Sequence, residues 1–279
     1  MSERSIFIIR HGERVDFEHI KSSNGDFNWL KSFEKSNSNK YGSKLFPKRE
    51  DGKEMCTLDS PITENGYEKS VQKGQEMAEN GIKVDHVFTS PSLRCIQTAD
   101  GLLKGLGPEE EIHMNIEYGL YEWVFFFDSI PKWMSLKELD ENDFCVNMNY
   151  EPILKEDEIK PKGRIEDYYE RSFYVMQEIL KKCPTGNIMV VAHGPSLDGC
   201  VRQLTGGTPQ NIADFYRRLN EIGNVYLACR QMIQSKDGKI RLVENKQNLD
   251  VPQDTFGAMT EEKIKKVVEY YEKHIGKSD

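Results

Sequence analysis

The chain has 279 residues, with 38 Lys plus Arg against 46 Asp plus Glu and a formal charge of −8. This length suits one large domain or two small ones burying roughly three quarters of the unfolded surface; ordinary Gly and Pro counts of 21 and 11 exclude a collagen-like or mostly disordered chain. The acidic balance argues against a nucleic-acid partner, which needs a basic face to displace phosphate counterions.

The predicted elements alternate along the chain. Ser5–Ile9 has the length and apolar character of a buried strand. Phe17–Thr57 is polar, rich in Asn, Ser and Lys, and too long for an ordinary loop, so it reads as a functional lid or as surface decoration. Thr63 is placed to cap a helix through Tyr67, Val71, Gly74 and Met77, with Gly81 to stop it. Asp85–Thr89 is a second strand. Trp123–Phe127 reads as a core strand, or as the wall of a pocket for an aromatic group. Phe125–Arg164 mixes aromatics, acids and prolines and forms a second excursion. Tyr169, Phe173, Met176 and Leu180 mark a helix ending before Pro184. Asn187–Ala192 and Val225–Cys229 are further strands, and a last helix runs from a Thr260 cap through Ile264, Val267, Val268 and Tyr271 to Gly276. Such alternation predicts an α/β domain with a largely parallel sheet.

No basic segment followed by an apolar stretch opens the sequence, so no secretory leader is expected. The apolar runs fall far short of the ~20 residues of a membrane span, and no membrane partner is expected. The cysteines, at 56, 95, 145, 183, 200 and 229, form no C-x-x-C pair and have no His at zinc-ligand spacing. They read as reduced, mostly buried thiols, which suggests a cytoplasmic location and no structural zinc. His19, His86, His113 and His274 likewise show no ligand spacing.

Two histidines stand apart. The first strand runs directly into Arg10-His11-Gly12-Glu13-Arg14, and Asn187–Ala192 runs directly into His193-Gly194. Ligands of open α/β sheets sit at the carboxyl ends of the strands, so both rings are placed to meet at one edge. Ser196 follows in a G-x-S-x-x-G spacing, one residue too long for a nucleophile elbow. Gly276-Lys277-Ser278 mimics a P-loop end, but Tyr271 occupies the position that requires Gly. Cys95, next to Arg94, reads as a small buried residue on a helix.

Four blocks in order carry a resemblance: Arg10-His11-Gly12-Glu13-Arg14-Val15-Asp16, Ser90-Pro91-Ser92-Leu93-Arg94-Cys95-Ile96-Gln97-Thr98-Ala99, Gly119-Leu120-Tyr121-Glu122-Trp123 and Val191-Ala192-His193. Together they resemble the histidine phosphatase superfamily, in particular the phosphatase domain of the suppressor of T-cell receptor signalling proteins and the ecdysteroid-phosphate phosphatases. The resemblance covers roughly residues 5–230. It implies an α/β fold of three αβα layers around a mostly parallel sheet, phosphoglycerate-mutase-like, spanning residues 1–279 as one domain with insertions at about 17–57 and 125–164.

It also implies roles. His11 would be the nucleophile of a phosphohistidine mechanism, one ring nitrogen donating to a backbone carbonyl so that the other offers its lone pair. Arg10, Arg14 and Arg94 would grip the phosphoryl oxygens bidentately, and His193 would stabilise their charge. Glu122 would be the general acid, its apolar flank favouring the neutral form that donates. No cofactor and no metal are implied. The substrate would be a protein phosphotyrosine or a bulky organic phosphate, and the domain would pair as a homodimer. Glu13 stands where mutases of the superfamily carry an uncharged residue, which favours the phosphatase branch. With the signature opening at residue 10, the ubiquitin-binding and SH3 modules of the signalling members are not expected before it. The alternatives are a small-molecule phosphatase or mutase acting on a sugar or steroid phosphate, and a non-catalytic phospho-binding module.

Overall fold

The computed structural model describes residues 3–22, 44–108, 111–123, 125, 129–222, 225–243 and 259–275. Short runs of β-branched and apolar residues form one six-stranded sheet: β1 (Arg4–Arg10), β2 (His86–Thr89), β3 (Met114–Ile116), β4 (Ile188–Ala192), β5 (Cys229–Gln234) and β6 (Ile240–Val243). The order is β3-β2-β4-β1-β5-β6. The first four strands in that order run parallel, and β5 and β6 close the other edge antiparallel. The expected α/β class with a mostly parallel sheet therefore holds.

The pleat divides the core in two. Phe7, Ile9, Val87, Met189 and Val191 face one cluster, while Ile6, Ile8, Phe88, Ile188 and Val190 face the other. Both faces are covered, which explains why these strands read as continuous apolar runs rather than alternating ones. On the first face lie α2 (Glu64–Glu79) and α3 (Leu93–Leu106), which contribute Met77, Leu93, Ile96 and Leu102; α1 (Val15–Ser22) leads out of the β1 loop. On the second lie α5 (Ile165–Lys182) and the single turn α6 (Ser196–Gly199), contributing Val175, Met176, Ile179 and Leu197. The short α4 (Leu136–Glu141) opens on a Ser135–Glu138 capping box. Helices α7 (Ile212–Ile222) and α8 (Glu261–His274) complete the order.

Caps and breaks fall largely where the sequence places them. Thr63 Oγ1 accepts from the Gly66 amide at 2.8 Å, and Gly81 sits at φ 71° after α2. Thr260 Oγ1 accepts from the Lys263 amide, and Ile264 and Tyr271 are the buried residues of α8; Gly276 lies outside the described residues. In α5 the buried stripe is Tyr168, Tyr169, Ser172, Val175, Met176 and Ile179, so Phe173 and Leu180 sit at its edge rather than its centre.

Several elements differ from expectation. Val225–Cys229 is not a strand: Leu227 adopts φ 58°, and the Arg10 amide donates to the Ala228 carbonyl at 2.9 Å. Its apolar side chains cover the end of β1, and β5 begins only at Cys229. Trp123 and Phe125 lie in no strand; their rings stack at 4.6 Å and pack under Phe215 and Tyr271. Phe125 is buried in that aromatic cluster, which makes it core rather than pocket wall. The second excursion is only partly surface: Met134, Leu139, Phe144 and Val146 join the core beneath β3. Of the first excursion, residues 23–43 lie outside the described residues.

Candidate active site

The loop after β1 is tied down on three sides. The His11 amide donates to the Ala192 carbonyl at 3.0 Å, the Gly12 amide donates to Thr98 Oγ1 of α3 at 2.9 Å, and the Glu13 carbonyl accepts from the Thr63 amide at 2.8 Å. A Cβ on Gly12 would come within 3.1 Å of the Gly66 carbonyl oxygen, so a larger residue there would push the loop a few tenths of an ångström off the first turn of α2. Glu13 spends its carboxylate on Thr63 Oγ1 and Asn65 Nδ2, bracing the same contact.

This anchoring leaves His11 buried, with Nδ1 donating to its neighbour's carbonyl, Gly12 O, at 2.8 Å. A ring that donates at Nδ1 and stays neutral offers the lone pair of Nε2. Burial, then the charges of Arg94, Arg10 and Arg14, hold its pKa well below the usual histidine value. The His193 ring lies 5.7 Å away, edge-on at 68°. It follows β4 directly, as expected for a strand-end ligand. Arg94 Nη2 donates to His193 Nδ1 at 3.2 Å, so Nε2 carries the proton and donates to Ser90 Oγ at 2.8 Å. Burial and the nearby Arg94 charge also hold His193 neutral.

The six residues singled out in the sequence converge here. Arg94, in the first turn of α3, is buried; desolvation opposes its charge, but Glu122 and further anionic neighbours outweigh that and raise its pKa. Arg10 stacks over the Tyr226 ring at 4.8 Å. Arg14 forms a two-pronged pair with Asp16, Nε to Oδ1 at 3.0 Å and Nη2 to Oδ2 at 2.7 Å, and lies over the Phe17 ring. Glu122 departs from the picture of an acid in an apolar wall: its Oε1 accepts from Arg94 Nη2 and sits 3.9 Å from His193 Nδ1.

Other site residues carried no local signal. Asp59 Oδ1 accepts from the Leu93 amide at 3.0 Å and lies 3.9 Å from Arg94 Nη1, so it seats both α3 and its arginine. Arg171 of α5 donates through Nη2 to the carbonyls of Tyr121 and Glu122, holding from behind the segment that carries the acid. Nothing in their neighbouring residues distinguishes them, since both act across long stretches of chain. Ser196 accepts at Oγ from the His193 amide at 3.3 Å, a supporting contact. Cys95 is buried beside His193 and pushed up to about 12 by desolvation, the inert thiol expected.

Two buried neutral imidazoles and three guanidiniums lie close together, donor groups that can accept a tetrahedral oxyanion, with a ring nitrogen offering its lone pair and a carboxyl group beside them. The chain belongs to the histidine phosphatase superfamily, branch 1, whose family model matches residues 48–224. That stretch holds Arg94, Glu122 and His193, while Arg10, His11 and Arg14 lie upstream of it. The chain is 36% identical over 244 residues to the ecdysteroid-phosphate phosphatase of Drosophila melanogaster, covering 86% of this chain and 32% of that protein. It is 33% identical over 242 residues to the Homo sapiens ubiquitin-associated and SH3 domain-containing protein B, covering 82% and 36%. The chain thus spans about a third of the length of these relatives. The crystal structure of the Bombyx mori ecdysone phosphate phosphatase in complex with tungstate superposes with a TM-score of 0.73 at 25% identity, covering 90% of this chain and 95% of that one.

Proposed function

We propose that this chain hydrolyses phosphomonoesters through a phosphohistidine on His11. The observation that carries the reading is the Nδ1 bond from His11 to the Gly12 carbonyl, in a ring kept neutral by burial and three arginines. Nε2 attacks phosphorus while the bond to the leaving oxygen breaks. Arg10, Arg14 and Arg94 hold the non-bridging oxygens, and positioning with charge stabilisation supplies most of the acceleration. Glu122 gives its proton to the leaving oxygen, then takes one from the water that attacks the phosphohistidine, which restores His11 and releases phosphate. His193 adds a donor to the oxygens at Nδ1 once the charge of the bound dianion draws a proton from solvent onto that atom in place of the Arg94 contact.

The relative solved with tungstate, a tetrahedral oxyanion, supports a phosphoryl-sized receptor. Protein phosphotyrosine or a bulky organic phosphate is the substrate class we favour. Comparing phosphotyrosine peptides, steroid phosphates and sugar phosphates by kcat/KM discriminates among them. The central test is p-nitrophenyl phosphate turnover, with and without EDTA, beside His11→Ala. Turnover that survives EDTA and falls at least ~10³-fold in His11→Ala is expected. An inactive wild type overturns the reading, and activity abolished by the chelator overturns the mechanism.

A further inference from the structure

At the far end of α3 from Arg94, Leu103 and Lys104 help to line a cavity of about 450 Å³ that the phosphatase reading does not use. Ten residues of helix separate Arg94 from Lys104, about 15 Å of rise. Glu111 and Cys145 are on the cavity wall, and His113 stands beside them. Among the described residues this is the group of three His, Cys, Asp or Glu side chains whose ligand atoms lie within 4.8 Å of one another.

The backbone explains the grouping. Met114 forms a parallel bridge with Val146, and the Met114 amide donates to the Cys145 carbonyl at 2.8 Å. His113 and Cys145 therefore precede paired residues on adjacent, parallel segments. Glu111 lies two residues before His113, the spacing that returns a side chain to the same face of extended chain. Register thus brings together three donors that are far apart or unremarkable in the sequence, which is why no ligand spacing was visible there.

We propose that Glu111, His113 and Cys145 bind a zinc ion, with the fourth position open to the cavity. A thiolate, an imidazole and a carboxylate are the donor types that borderline-soft Zn²⁺ takes, and three protein ligands leave one place for water or another small ligand. In a tetrahedral zinc site, bonds of 2.0–2.3 Å put donors roughly 3.3–3.8 Å apart, so the present spacing needs only side-chain closure. Glu111 and His113 are exposed and Cys145 is half-buried, so the site is reachable and its side chains are free to close. At present the thiol shares its proton with Glu111, and burial together with that carboxylate pushes it up to about 11. Zinc would replace the proton, which leaves to solvent as the Zn–S bond forms. Lys44, whose charge acts on the thiol, pairs through Nζ with Asp100 at 2.7 Å.

The test is direct titration of the chelator-stripped full chain with Zn²⁺ alone and with Co²⁺ as a coloured substitute. One equivalent bound per chain is expected, with a thiolate-to-cobalt charge-transfer band. Cys145→Ser should abolish the band, and His113→Ala should weaken Zn²⁺ binding roughly tenfold or more. Cys229→Ser, which changes a thiol elsewhere, should leave both unchanged. Less than one equivalent at saturation, or a band that survives in Cys145→Ser, overturns the proposal. Circular dichroism of each variant separates loss of a ligand from loss of fold, and none of these readouts depends on phosphatase activity.

Discussion

Burial and the charges of Arg94, Arg10 and Arg14 act on His11 together, and burial beside Arg94 acts the same way on His193. The unfolded chain takes up a proton at each ring as the pH falls through about 6.5, whereas the native rings stay neutral until well below it. The unfolded state then binds more protons, so stability is full above that pH and is lost as the pH falls below it. Each ring contributes up to about 1.4 kcal/mol per pH unit in that window. Replacing His11 by Asn keeps a donor for the Gly12 carbonyl and removes one titrating group. Urea unfolding at pH 7, 6 and 5 should therefore give a shallower loss of stability for His11→Asn than for the wild type; parallel slopes would mean that the native ring titrates as it does in the unfolded chain. Glu122 poses a different question, because its bond to Arg94 allows it to act either as an acid or as that arginine's counter-ion. If it donates the proton, Glu122→Gln lowers kcat by about 10²–10⁴ for an alkyl phosphate. The loss should be much smaller for p-nitrophenyl phosphate, whose leaving group needs no proton. Equal losses on both would leave Glu122 only the task of holding Arg94.

At the level of elements, what the sequence disclosed follows from how local each cause is. Thr63, Gly81 and Thr260 act within one turn of their helix ends and could be read directly. Strand β3, of three residues, is too short for periodicity to register, and β6 is an edge strand only partly buried, without the continuous apolar run of the inner strands. Val225–Cys229 misled because its apolar residues are buried by a turn closing over β1, and burial alone does not distinguish turn from strand. The packing of α2 on α3 was also hidden, though its residues were in view. Gly74 of α2 meets Leu102 and Gly105 of α3, and Gly105 meets Val71 so closely that a Cβ there would collide with the Val71 carbonyl. Neither obstacle is a flexible side chain, so the helices must part to admit a methyl group. Gly105→Ala should lower stability by about 1–3 kcal/mol in urea unfolding, despite the better helix propensity of Ala. Since α3 also carries Arg94, KM for p-nitrophenyl phosphate should rise in the same variant. A Gly105→Ala protein as stable as the wild type would show that the two backbones are not in contact.

For the molecule as a whole, the net charge of −8 and the cationic site are reconciled by where the counter-ions sit. His11 and His193, with the flanking Arg10 and Arg14, were legible as strand-end residues, whereas Arg94 and Glu122 stood out only through the resemblance of their blocks. The ion pairs they make were hidden: Asp59 reaches Arg94 from a distant segment, Asp16 pairs with Arg14, and Glu122 reaches Arg94 across the pocket. These three carboxylates offset Arg94 and Arg14, and the two imidazoles are neutral, so the mouth of the site has little net charge to project. The net charge of −8 makes the summed long-range field of the chain repulsive to a dianion. Attraction therefore arises only at contact, where the groups are buried and salt screens them weakly. An enzyme that steers its substrate with a positive field loses kcat/KM steeply as salt is added. Here the long-range term is repulsive, so screening it should leave kcat/KM for a small dianionic phosphate flat or slightly higher between roughly 20 and 300 mM NaCl, where the Debye length falls from about 20 Å to 6 Å. A several-fold fall over that range at pH 7 would show that the arginines project beyond their carboxylates. Arg14→Gln and Asp16→Asn would then locate the source, since the first should flatten the dependence and the second should steepen it.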